Sequence, residues 1–228
     1  MKIIPVEQNS LEWLLARSGI PTASEFDALI SPLWKIRTGQ GVDTYLAQKV
    51  AEKWLGGPLP GFQTLDMEFG QIREEEAIPF YEFQFGESIQ RVGLVTTDDG
   101  RTGCSPDGLI GDDGGIEVKC PEAKTHVKYL LAGVVPADYL AQVHGSMFVT
   151  GRKWWKFLSY RRNFPPLVLT VERDDEIQKQ IGIALDAFLA RLDEAMAEME
   201  KLNGGPPSRR KIEMPKPPPV ETFDLPQL

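Results

Sequence analysis

Asp107, Glu117 and Lys119 are the residues of this 228-residue chain best placed by type and spacing to do chemistry. They lie in Cys104-Ser-Pro-Asp107-Gly and, ten positions on, Glu117-Val-Lys119-Cys-Pro121. Glu117 and Lys119 are two apart in a short apolar stretch that reads as a strand. They therefore share one face, with backbones about 7 Å apart. Asp107 falls near the end of the preceding strand, and Gly111-Asp-Asp-Gly-Gly115 is a turn able to bring the two strands together. Two carboxylates and an ammonium then converge at one sheet edge. Hard oxygen ligands of this kind suit Mg²⁺ or Mn²⁺. Such an ion activates water and neutralises an attacked phosphate, and a lysine beside it positions or helps deprotonate that water. The chemistry implied is phosphodiester hydrolysis. Taken alone, an acidic residue and a lysine on one strand face usually mark a solvated surface. It is the hairpin spacing from Pro106-Asp107-Gly that sets this pair apart.

The elements that must position these residues alternate in type. Residues 7–18 read as a short helix with Trp13, Leu14 and Leu15 inward, and Thr22 or Ser24 caps a second start with Glu25 in capping-box position. Residues 43–55 follow helical spacing, 56–61 break the chain, and 66–85 form a further helix. Ser88–Thr96, Thr102–Ile110 and Ile116–Lys119 read as strands, with a turn at Asp98-Asp-Gly100. Helix returns over 136–149, strands over 154–160 and 167–172, and a long amphipathic helix runs from Arg173 to Leu202. The aromatics of Lys153-Trp-Trp-Lys-Phe157 alternate as core residues would, while the place of Arg161 and Arg162 stays open.

Composition narrows the function. The net charge of -8 argues against a large non-specific nucleic-acid coat, so any basic groove must be local. Two cysteines, Cys104 and Cys120, build neither a disulfide framework nor a zinc site, and a reduced cytosolic setting is expected. The N-terminal residues lack the apolar run of a signal peptide, and no stretch reaches the length of a membrane span. One domain over 1–202 is expected, followed by an extended tail over 203–228 that holds seven of the 18 prolines.

Together these motifs resemble the PD-(D/E)xK nucleases, and among them the phage lambda exonuclease group of YqaJ-type viral recombinases. The similarity runs from about Trp13 to about residue 200. It takes in Arg17-Ser-Gly-Ile-Pro-Thr-Ala-Ser24, Phe69-Gly-Gln-Ile-Arg-Glu74 and Tyr139-Leu-Ala-Gln142-Val-His-Gly-Ser-Met-Phe-Val-Thr150. The resemblance implies an α/β (α+β) restriction-endonuclease-like core, a central mixed β-sheet flanked by helices. Asp107, Glu117 and the Val118 carbonyl would then ligate metal, two Mg²⁺ ions with Mn²⁺ as substitute. Lys119 would be the catalytic lysine, with Glu74 and Gln142 completing the catalytic set. Arg17, Ser24 and Ser105 match positions that bind a 5′-phosphate. His144 stands where the lambda group has a second glutamine, which leaves that role open. The implied activity is 5′→3′ digestion of linear double-stranded DNA. It would leave 3′ overhangs, and the enzyme would act as a ring-shaped homotrimer in the bacterial cytoplasm with a single-strand annealing protein. An endonuclease of the same fold and a non-catalytic DNA-binding module are the alternatives.

Overall fold

In this computed structural model, residues 1–60 and 76–203 are described. Thirteen of their elements carry the argument. These are β1 (Lys2–Ile4), α1 (Leu11–Arg17), α2 (Gln40–Leu55), β2 (Ile89–Gln90), β3 (Leu94–Thr96), β4 (Gly103–Cys104), β5 (Gly108–Ile110), β6 (Gly114–Lys119), α4 (Ala123–Ala132), α5 (Ala137–Thr150), β7 (Trp154–Ser159), β8 (Leu167–Glu172) and α6 (Asp175–Asn203). To them are added a 3-10 helix, Ala23–Ala28, and a helix over residues 76–85, here α3. The tail from 204 and the predicted Glu74 lie outside the described residues.

A five-stranded mixed sheet in the order β2-β5-β6-β7-β8 forms the centre. Neighbouring strands are antiparallel except β6 and β7, which pair in parallel, Glu117 beside Phe157 and Lys119 beside Ser159. A parallel pair needs a crossover, and α4 and α5 supply it. Strand alternation then sorts the side chains of β6 between two cores. Ile116 and Val118 pack with Leu158, Tyr160 and the α3 residues Ala77, Ile78 and Tyr81. On the other face Trp155 and Phe157 pack with Val143 and Met147 of α5 and with Ile181, Leu185 and Phe188 of α6. Glu117 points to this second face, where α5 meets it.

Several expectations are corrected. Ser88–Thr96 is not one strand. β2 joins the large sheet, whereas β3 pairs with β1 and β4 in a separate three-stranded sheet. Thr102–Ile110 divides in the same way into β4 and β5. The first change of sheet falls at Gly93, where a Cβ would stand 1.8 Å from the Val6 carbonyl oxygen, so the backbones touch there as only glycine permits. Within α1, Trp13 is buried but Leu15 is 37% exposed, so one aromatic alone anchors that helix. Ala23–Ala28 winds as a 3-10 helix. Its Glu25 carboxylate accepts from the Thr22 hydroxyl (3.0 Å) instead of closing the backbone box. Helix α4 was not foreseen. The helices α2 and α6 and the strands β7 and β8 lie close to where the periodicity puts them.

Candidate active site

The β5–β6 hairpin brings Asp107 and Glu117 together, and proline shapes the place where it ends. Gly108 pairs with Ile116, so continuing the register would set Pro106 opposite Val118. Proline has no N–H to give to the Val118 carbonyl. The Pro106 carbonyl is turned instead to Gln8 Nε2 at 2.8 Å. The ladder stops, and the Val118 N–H donates to the Asp107 carboxylate at 2.6 Å. At the other end of the hairpin the buried Arg152 holds the turn, its Nη1 donating to the carbonyls of Ile110, Gly111 and Gly114 at 3.2, 2.7 and 2.6 Å.

Glu117 is 3% exposed. Its Oε1 accepts from Lys119 Nζ at 2.7 Å and from Gln142 Nε2 at 2.6 Å, so β6 and α5 meet on that oxygen. Its Oε2 is buried and has no hydrogen-bond partner among the described residues. Burial alone would push the Lys119 pKa down, but the carboxylates of Glu117 and Asp107 outweigh it, hold the pKa above the ordinary lysine value and keep the ammonium charged. The Lys119 ammonium also stands over the Tyr139 ring, 5.1 Å from its centroid. Cys104, buried nearby, has its thiol pKa pushed up by burial and then by Glu117, so it is an inert filler.

A metal ion fits this donor set. A buried carboxylate oxygen with no donor is costly unless a cation completes it. Among the described residues no three His, Cys, Asp or Glu side chains converge into a full ligand cage. The donors at hand are Asp107, Glu117 and the backbone at Val118. That suits an ion which keeps much of its water, as Mg²⁺ does.

Arg17, Ser24 and Ser105 are also brought into one cluster, and Trp13 joins them. The Trp13 indole N–H donates to Ser105 Oγ at 2.8 Å, and its ring lies under the Arg17 guanidinium at 4.4 Å. Arg17 Nη2 donates to Thr22 Oγ1 at 3.0 Å and Ser24 Oγ at 3.3 Å. Ser105 is two residues from Asp107, which ties this cluster to the hairpin. The 3-10 helix bearing Ser24 lies against α5 where a Cβ on Gly145 would meet the Phe26 ring at 2.5 Å. His144 is buried, with its ring edge-on to Trp34 and no partner for Nδ1 among the described residues.

Spacing and motif assign Trp13 only a core place, Thr22 only a capping place and Tyr139 only a place in a motif, and none of them a role at the site. The signal for Trp13 was its helical neighbour position to Arg17, and that for Tyr139 its place three residues before Gln142. Arg161 and Arg162 lie beyond β7 and pair with Glu122 (3.7 Å) and Glu76 (2.8 Å).

Comparison with known proteins decides the lineage. The profile of the YqaJ-like viral recombinase domain matches residues 12–153. The chain belongs to the YqaJ-like viral recombinase family. Two crystal structures of an alkaline exonuclease, LHK-Exo from Laribacter hongkongensis, one in complex with dAMP, align at 30% identity with a TM-score of 0.77. The alignments cover 86% of this chain and 98% of that one. A phage-related exonuclease from Haemophilus somnus 129PT shares the fold, with 14% identity, a TM-score of 0.57 and coverage of 79% and 96%. No curated protein sequence matches. The restriction-endonuclease-like core is thus shared with exonucleases. No helix among the described residues is long and apolar enough to cross a membrane.

Proposed function

We propose that this YqaJ-family protein is a metal-dependent 5′→3′ exonuclease on linear double-stranded DNA, leaving 3′ overhangs for strand-annealing recombination. Family membership and the LHK-Exo likeness support the coarser statement, a nuclease of the lambda-exonuclease type. The observation that carries the chemistry is the buried Oε2 of Glu117, without a hydrogen-bond partner among the described residues, beside a second carboxylate and a lysine.

Asp107, Glu117 and the Val118 carbonyl would hold Mg²⁺, with Mn²⁺ as substitute; Glu74, which the resemblance adds to the catalytic set, lies outside the described residues. A bound ion supplies an acidified water and neutralises charge on the phosphate. Gln142 and Lys119 fix the Glu117 carboxylate from two directions. Lys119 would orient the attacking water toward phosphorus. The water oxygen bonds to phosphorus, the P–O3′ bond breaks, and the departing 3′ oxygen takes a proton. A deoxynucleoside 5′-monophosphate leaves, the class to which the dAMP of the LHK-Exo complex belongs. The shortened strand again begins with a 5′-phosphate. Arg17, Ser24 and Ser105 would grip that phosphate, the guanidinium by paired hydrogen bonds. Three copies in a ring around the duplex, and a single-strand annealing protein receiving the exposed strand, complete the proposal; light scattering showing a monomer would remove the ring.

The test is a linear duplex phosphorylated at one 5′ end, compared with a covalently closed circle, in Mg²⁺ and in EDTA. The expected result is preferential loss of the phosphorylated strand, only in Mg²⁺, with the circle intact. Cutting of the circle would replace this reading with an endonuclease.

A further inference from the structure

Beside the Arg17 cluster lies a buried ionic knot that the proposed reaction does not use. Lys49 of α2, its side chain 4% exposed, sits between Glu25 Oε2 at 2.9 Å and Glu52 Oε2 at 3.1 Å. Glu25 Oε2 also accepts from Thr22 Oγ1 at 3.0 Å, and Thr22 Oγ1 in turn accepts from Arg17 Nη2 at 3.0 Å. One hydroxyl thus separates Glu25 from the guanidinium. Arg17, Glu25, Lys49 and Glu52 line the same cavity of about 170 Å³. The Gly19 N–H donates to Glu52 at 2.9 Å, which fixes the knot to the turn just after Arg17.

Charge decides what this arrangement does. A pocket for a terminal phosphate must be positive, yet two carboxylates stand next to this one. With Lys49 between them, Glu25 has its counter-ion and Arg17 can turn its remaining N–H groups outward. Without Lys49, Arg17 is the nearest cation left for Glu25. The guanidinium would fold back on the carboxylate, and an incoming phosphate would meet negative charge.

Resting on the reading of Arg17, Ser24 and Ser105 as a phosphate pocket, we propose that Lys49 is a specificity-determining positioning residue. It neutralises Glu25 and so leaves Arg17 to recognise a terminal phosphate.

The test compares kcat/KM on linear duplex with 5′-phosphate ends and with 5′-hydroxyl ends, using the full chain in Mg²⁺. Lys49→Met is expected to cut the phosphate preference about tenfold, as losing one charged hydrogen bond would, with hydroxyl-end activity within about twofold of the parent. Adding Glu25→Gln to Lys49→Met removes the competing carboxylate and should restore the preference. Glu25→Gln alone keeps Lys49 paired with Glu52 and should hold or raise it, which covers the case of a Lys49→Met chain that does not fold. A Lys49→Met protein with the parent's preference, a double variant that stays defective, or a fall in Glu25→Gln alone would overturn the proposal. Arg17→Ala separates the two layers. If it leaves the preference unchanged, the phosphate pocket itself is wrong and the role of Lys49 falls with it. If it abolishes the preference while Lys49→Met does not, only the role of Lys49 fails.

Discussion

Lys49 and Lys119 are each set among carboxylates, yet the two clusters end differently. Around Lys49 every carboxylate oxygen has a donor. Glu25 receives Lys49, Thr22, Tyr45 and Gln48, and Glu52 receives Lys49, Gln48 and the Gly19 amide. Burial would push the Glu52 carboxyl up, but the Gly19 amide, Gln48 and Lys49 outweigh it and hold its pKa below the ordinary value. Around Lys119 the count does not close, because Glu117 Oε2 is buried without a partner among the described residues. The first cluster is complete as a protein structure. On the proposed reading, a cation completes the second. Residue types alone do not separate the two clusters; the Glu117 oxygen left without a partner among the described residues does.

Removing each lysine should have the largest effect, and an opposite one in the two clusters. Lys119→Ala should slow digestion of linear duplex by on the order of 10³-fold, the usual scale for a positioned proton-handling group. The Lys119 side chain is 24% exposed against 4% for Lys49, and Gln142 still holds Glu117, so the fold should lose less than it does in the Lys49 variant. Lys49→Met should do the reverse. Breaking a buried pair from one side costs about 3–5 kcal/mol, read as a lower urea midpoint, with cleavage of hydroxyl ends nearly kept. Equal digestion by Lys119→Ala and the parent would end the catalytic assignment.

A smaller effect concerns His144, a buried group outside both clusters. Burial is the main cause that pushes its pKa down to about 4, with Arg173 adding to it and Asp174 opposing. The folded chain therefore favours the neutral ring, while the unfolded chain titrates near 6.5. The sign follows: the stabilisation is fully present above about pH 6.5 and is lost as pH falls toward 4. Thermal midpoints across that window should decline, and His144→Gln should flatten the decline. An unchanged slope in the variant would place the acid sensitivity elsewhere. Smaller still is Gln142→Leu, which removes one of the two donors on Glu117 Oε1. A rate loss of about tenfold with little change in stability is expected; a large loss of stability at the parent's rate would make Gln142 structural.

The open cluster was legible in the sequence, and the closed one was not. Asp107, Glu117 and Lys119 stood out because a glycine-rich turn at hairpin spacing fixes which side chains meet. Glu25, Lys49 and Glu52 come from two helical segments with no local signal joining them, and charged residues on a helix normally read as a solvated face. The same limit explains the strands. Residues 88–96 and 102–110 alternate in the same way whichever sheet they join, and the partition depends on a contact between Gly93 and Val6 that sequence spacing does not show. Helix α4 buries His126 alone, so it lacks the apolar stripe that made α6 readable.

On the proposed reading the Lys119 cluster holds a divalent cation and the Lys49 cluster does not. Calorimetric titration of Mg²⁺ and Mn²⁺ into the parent, Glu117→Gln and Glu52→Gln tests it directly. Glu117→Gln should lose the binding and Glu52→Gln should keep the parent's affinity. Undiminished binding by Glu117→Gln, or its loss in Glu52→Gln alone, would contradict it.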